Sequence, residues 1–229
     1  MRTLCLAVGL TLMCASDPLT AQNRLTDQER ATGWRLLFDG KTIDGWRGFR
    51  QDTVPAGWQV VDGTLARVGG GGDLITVEQY GSFELALDWK VTPGGNSGIM
   101  FRVSEDGEYP WLTGPEMQIL DNSGHADGQK PETSTGSNYA LHAPTRDAAR
   151  PAGEWNSVRL IVRGNRVEHW LNGKRIVKYE LGSDDWKQRV AASKFREFPK
   201  YGTNQRGHIV LQDHGDLVSF RNIRILPFD

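Results

Sequence analysis

Glu116-Met117-Gln118-Ile119-Leu120 sets a carboxylate and a carboxamide two residues apart in a short run that reads as a β-strand. Side chains alternate along a strand, so Glu116 and Gln118 share one face while Met117 and Ile119 take the other. A carboxylate can move a proton, and an amide can both donate to and accept from a hydroxyl. Fixed side by side on a rigid strand, the two suit a concave binding surface. Asn96-Ser97-Gly98-Ile99-Met100-Phe101-Arg102 leads into a second such strand, with Met100 and Arg102 opposite Ile99 and Phe101. Arg102 is therefore expected on the face of Glu116, where its guanidinium could bind a carboxylate, a carbonyl or a sugar hydroxyl. Near the end of the chain His208, Val210, Gln212 and His214 share parity, and Gln212-Asp213-His214-Gly215-Asp216 turns before a last strand. For each of these the competing reading is a solvated strand face or a plain hairpin turn.

His142 follows Tyr139-Ala140-Leu141, and Tyr109 and Trp111 flank Pro110 in a loop where aromatic rings could stack on sugar rings or merely anchor the loop. The five histidines show no helical ligand spacing, so no metal site is predicted, although ligands carried on strands cannot be recognised by spacing. No Gly-x-Ser-x-Gly elbow is present. The Gly69–Gly72 run lacks the helix pattern that a phosphate-cradling loop needs.

The elements that must position these residues are strands. Phe83, Leu85, Leu87, Trp89 and Val91 alternate with polar or small residues, and Ile99, Phe101 and Val103 do the same. Further strands are expected at Trp58–Val61, Trp155–Val162, Val167–Leu171, Arg175–Tyr179, His208–Gln212 and Leu217–Ile225, with Asn172-Gly173 as a tight hairpin turn. Many short strands separated by turns predict an all-β, two-sheet antiparallel jelly-roll sandwich. Its predicted core includes Phe83, Leu85, Leu87, Trp89, Ile99, Phe101, Met117, Ile119, Ile209 and Leu211. One short helix is expected within Asp184–Arg196, capped by Ser183, with Trp186 and Val190 inward and Pro199 preventing its continuation. The polar Asn122–Ser137 stretch is expected as a long loop at the rim of the site.

Met1–Ala21 has a basic start, an apolar run from Leu4 to Met13 and Leu19-Thr20-Ala21 before Gln22, the layout of a secretory signal peptide. Residues 22–229 then form one domain, periplasmic or secreted. The alternative is a lipoprotein anchored at Cys14, against which Thr11-Leu12-Met13 lacks the small residue expected before the acylated cysteine. Both cysteines lie in the leader, so the remaining chain has no disulfide, thiolate metal site or cysteine nucleophile. The apolar run is too short to span a bilayer, and a net charge of −1 argues against nucleic acid as a partner.

Leu37-Phe38-Asp39-Gly40-Lys41 with Gly45-Trp46, Asn96-Ser97-Gly98-Ile99, Glu116–Asp121, Gly153-Glu154-Trp155-Asn156, Leu211–Gly215 and Phe220-Arg221-Asn222-Ile223 occur in this order across Gly33–Leu226. Together they resemble the 3-keto-disaccharide hydrolase family. The resemblance implies a concanavalin-like jelly roll with a sugar-binding concave face. It also implies glycoside substrates whose C3 hydroxyl a separate sugar C3-oxidoreductase has already oxidised to a ketone. Such a ketone acidifies the C2–H bond, so a base can open a route through elimination of the C1 substituent and addition of water. On this reading Glu116 and His214 transfer protons and Arg102 stabilises the enolate oxygen, a place a divalent cation could take instead. Gln118, Gln212, Asn96 and Asp121 bind sugar hydroxyls, with His142 and Trp111 as further substrate contacts. Asp121 has the wrong parity for the face of Glu116 unless the strand end re-aims it. Two other readings stand beside this one: a non-catalytic carbohydrate-binding module, and a conventional concanavalin-like glycoside hydrolase.

Overall fold

The computed structural model describes residues 22–228. The expected leader, including Cys14, lies outside them. A five-residue helix, α1 (Asp27–Ala31), opens the described chain, closed by a capping box in which Thr26 and Glu29 satisfy each other's backbone N–H. The strands follow as β1 (Arg35–Leu36), β2 (Trp46–Gly48), β3 (Trp58–Val61), β4 (Thr64–Arg67), β5 (Leu74–Thr76), β6 (Phe83–Val91) and β7 (Asn96–Val103). After these come β8 (Glu116–Leu120), β9 (Asn156–Arg163), β10 (Arg166–Leu171), β11 (Lys174–Glu180), β12 (His208–Leu211) and β13 (Val218–Pro227). One sheet runs β11-β10-β9-β6-β13-β4-β3 with β1 added on β13, and the other runs β2-β5-β12-β7-β8. All pairings are antiparallel, the arrangement of a jelly-roll sandwich.

The alternation seen in the sequence packs the space between the sheets. Phe83, Leu85, Leu87 and Trp89 from β6 meet Ile99, Phe101, Met117, Ile119, Ile209 and Leu211 from the smaller sheet in one buried cluster. Asn172 and Gly173 both have positive φ, 47° and 76°, as the tight turn between β10 and β11 requires. The edge of β8 is covered by the returning loop, where Gln118 N–H donates to Ser137 O and Tyr139 N–H to Glu116 O.

The helix forms where it was expected but stops for a different reason, and one strand expectation fails. Helix α2 (Asp184–Ala192) is capped by the Ser183 hydroxyl and buries Trp186. It ends at Ser193, well before Pro199, because Ser193 turns extended and its hydroxyl accepts from Phe195 N–H to start a new 3-10 turn over Lys194–Glu197. On β7, strict alternation breaks at Arg102, which has a left-handed φ of 52° beside a register shift between His208 and Val210 of β12. Val103, expected on the core side with Ile99 and Phe101, packs instead with Met100, Val210, Ile75 and Phe49 in a second cluster, partly covered by Trp111.

Candidate active site

Antiparallel partners point the same way, so the registers Met100↔Glu116 and Gly98↔Gln118, with Val210↔Met100, define the face of the smaller sheet turned from the core. On that face a cavity of about 340 Å³ is lined by Glu116 and Gln118 of β8, Asn96 of β7, and Gln212, Asp213 and His214 just after β12. Asp73, immediately before β5, lines it too. The loop after β8 contributes Asp127 and Tyr139, the turn after α2 contributes Lys194 and Phe195, and Tyr109 and Trp111 complete the wall.

Glu116 is the most unusual group in this wall. Its carboxyl lies over Gly98, where an added Cβ would come within 2.1 Å of Oε1, so glycine there makes room for the carboxylate rather than for a ligand. Only 6% of the residue is exposed and its carboxyl has no hydrogen-bond partner among the described residues. Burial pushes the carboxyl up to about 8, against the pull of the Lys194 ammonium and with added repulsion from Asp73 and Asp127. Lys194 Nζ sits 4.6, 5.3 and 5.5 Å from the ring centres of Tyr139, Phe195 and Trp111, an aromatic cradle for a cation.

The amides supply hydrogen-bonding capacity that the protein leaves unused. Gln212 Oε1 and Asn96 Oδ1 are buried without a hydrogen-bond partner among the described residues. Asn96 Nδ2 lies 3.4 Å from His125 Nε2, and whichever way that amide faces, one end lacks a protein partner. Unsatisfied buried acceptors are costly, and hydroxyl-rich ligands relieve that cost. Tyr139 Oη donates to Asp127 Oδ2 at 3.0 Å, fixing the loop carboxylate against the wall. His214 is exposed at the mouth, its ring 6.3 Å from that of His125. Tyr109 stacks on Trp111 at 5.5 Å, giving an aromatic platform at the rim.

Glu116, Gln118, Asn96, Gln212, His214 and Trp111 thus come together, whereas Arg102, Asp121 and His142 do not line this cavity. The left-handed turn at Arg102 sends its side chain between the sheets, where Nε donates to Gly81 O and Nη2 to Gly164 O. Asp121 keeps the parity that points it away, and its carboxylate accepts from Gly94 N–H, Ser123 N–H and the Ser123 hydroxyl; these bonds, that of Gly94 foremost, hold it below the usual range. His142 is wedged against Tyr179 at 4.9 Å, with contacts of 2.9 Å to both Asn138 and Asp185, and burial lowers its pKa. Among the described residues no group of three or more His, Cys, Asp or Glu side chains is arranged to hold a metal ion.

The sequence pattern of 3-keto-alpha-glucoside-1,2-lyase-like domains matches residues 33–226. The chain belongs to this family. The 3-keto-disaccharide hydrolase of Bacteroides thetaiotaomicron is 37% identical over 231 aligned residues, spanning 87% of this chain and 80% of that protein. A crystal structure of a candidate glycosyl hydrolase from Parabacteroides distasonis superposes with a TM-score of 0.84 at 39% identity, over 91% of this chain and 100% of the other. A second candidate glycosyl hydrolase from that organism gives 0.68 at 28% identity, over 85% and 99% of the two chains. Within this member of the 3-keto-alpha-glucoside-1,2-lyase-like family, Asp73, Asp127, Tyr139 and Lys194 escaped sequence reasoning. Asp127 and Tyr139 come from the loop that follows β8, expected at the rim without naming either residue, and Asp73 and Lys194 join from segments far from β8 in sequence, so no spacing or period announces them.

Proposed function

We propose that this glycoside hydrolase acts on 3-keto-glycosides, cleaving them by elimination of the C1 substituent and re-addition of water. Glu116 carries the reading: a buried carboxyl with no hydrogen-bond partner among the described residues, pushed up to about 8 by burial, in the wall of a polar cavity. In its ionised form it can take the C2 proton, leaving the electron pair on C2–C3 and an enolate at the C3 oxygen. The enolate then forms a C1–C2 double bond as the C1–O bond breaks and the departing oxygen gains a proton. Water returns a hydroxyl to C1 and a hydrogen to C2. The Lys194 ammonium, which already interacts with Glu116 through its charge, supplies the positive charge toward the enolate oxygen that Arg102 was expected to supply. Asn96, Gln118 and Gln212 hold sugar hydroxyls, the Tyr109–Trp111 platform faces the sugar's apolar side, and His214 exchanges protons with solvent at the mouth. The ketone implies a preceding oxidation of the C3 hydroxyl by a separate oxidoreductase, and the leader segment supports a periplasmic or secreted setting.

Hydrolysis of a 3-keto-disaccharide in D2O tests the route. The released 3-keto sugar should carry deuterium at C2 beyond that in an enzyme-free control. Cleavage with the C2 hydrogen retained would favour the oxocarbenium route of ordinary glycosidases.

A further inference from the structure

Asp73 lines the same cavity as Glu116 but sits on the opposite flank, at the entry to β5. Its Oδ1 accepts from Asp213 N–H at 2.9 Å, and its Oδ2 has no hydrogen bond among the described residues. The neighbouring carboxylate of Asp213 is fully committed. Asp213 Oδ1 accepts from Arg67 Nε at 2.6 Å and from Gly215 N–H at 3.1 Å, and its Oδ2 accepts from Gly72 N–H at 3.1 Å. Both sides of this ion pair are largely buried, 11% and 8% exposed. Arg67 neutralises Asp213, and the backbone of Asp213 in turn aims Asp73.

We propose that Asp73 is the second proton-transfer carboxyl of the site, acting at C1 while Glu116 acts at C2, an assignment that rests on the elimination reading above. In its acid form Asp73 gives a proton to the oxygen leaving C1 as that bond breaks, becoming a carboxylate. The carboxylate then takes a proton from water as the water oxygen bonds to C1, while Glu116, its proton exchanged with solvent, protonates C2. Both carboxyls end in the state in which they began. The charged and titratable groups around this pair are Asp213 with Arg67, Asp127, Lys194, His214, Tyr109 and Tyr139. Burial pushes Asp73 up to about 6 and Glu116 up to about 8, so between those values the pair carries a single proton, held mainly by Glu116, and the reacting form with that proton on Asp73 is the minor member of the pair's two one-proton arrangements.

Asp73→Asn keeps an acceptor for Asp213 N–H and removes the acid. Wild type and variant are compared on an unactivated 3-keto-disaccharide, on 4-nitrophenyl 3-keto-glucoside, whose leaving group needs no proton, and by C2 deuterium exchange of substrate in D2O. We expect the variant to lose about 10²–10⁴-fold on the disaccharide, to lose less than about tenfold on the nitrophenyl substrate, and to keep C2 exchange. Equal losses on both substrates, loss of C2 exchange, or undiminished disaccharide turnover would each overturn the assignment. Absence of C2 exchange in the wild type would instead overturn the elimination reading itself, and with it both roles.

Discussion

At the residue scale, the site depends on a carboxyl that the fold keeps out of water and out of hydrogen bonds. Glu116→Gln should lower turnover of a 3-keto-glycoside by about 10²–10⁴-fold, with an unchanged circular dichroism spectrum; wild-type turnover would remove Glu116 from the mechanism. Because the reaction needs the Asp73–Glu116 pair to hold one proton, kcat/KM should rise with pH through about 6 and fall through about 8, where Glu116 titrates. The Lys194 ammonium holds that value down, so Lys194→Met should move the limb to higher pH, and an unmoved limb would show that Lys194 does not sense Glu116. Glu116 and Gln118 were legible because strand parity assigns them one face, whereas Gln212 and Asn96 joined them only through the family resemblance. Lys194 was not, since its position depends on where α2 stops and which way the next turn faces.

At the scale of elements, the same alternation that revealed β6, β8 and β12 misled at the end of β7. One left-handed residue inverts everything after it, so Arg102 and Val103 exchanged sides. No composition signal marks an arginine in that conformation, and only the pairing with β12 exposes it. The buried strands should tolerate little: Ile119→Ala, with a side chain wholly inside the core, should cost about 2–5 kcal/mol in denaturant unfolding. Gly98→Ala makes a sharper test of β7 and β8 as a frame. An alanine fits the backbone, but its Cβ would displace the Glu116 carboxyl, so turnover should fall on the order of 10²-fold, the cost of misplacing a reacting group by about an ångström. Stability should change far less, and full activity in this variant would mean that the position of Glu116 over Gly98 is irrelevant.

For the whole molecule, two carboxyls raised by burial link the site to stability. Glu116 is raised from 4.5 to about 8 and Asp73 from 3.8 to about 6, so across those ranges the folded chain holds protons that the unfolded chain has lost. Folding stability should therefore fall as pH rises from about 4 through 8. Glu116→Gln cannot ionise and should flatten that decline, which urea unfolding at pH 5 and pH 8.5 would show as a smaller difference than in the wild type. The sandwich itself and the strand-borne floor of the cavity were readable from period-two strands and turns, whereas the rest of the cavity wall comes from loops and turns whose meeting is a property of the folded whole. The proposed function turns on the substrate that this cavity accepts. Incubating the protein with a disaccharide and, separately, with its 3-keto derivative decides it: only the ketone should be cleaved, and cleavage of the unoxidised sugar, or of neither, would overturn the proposed function.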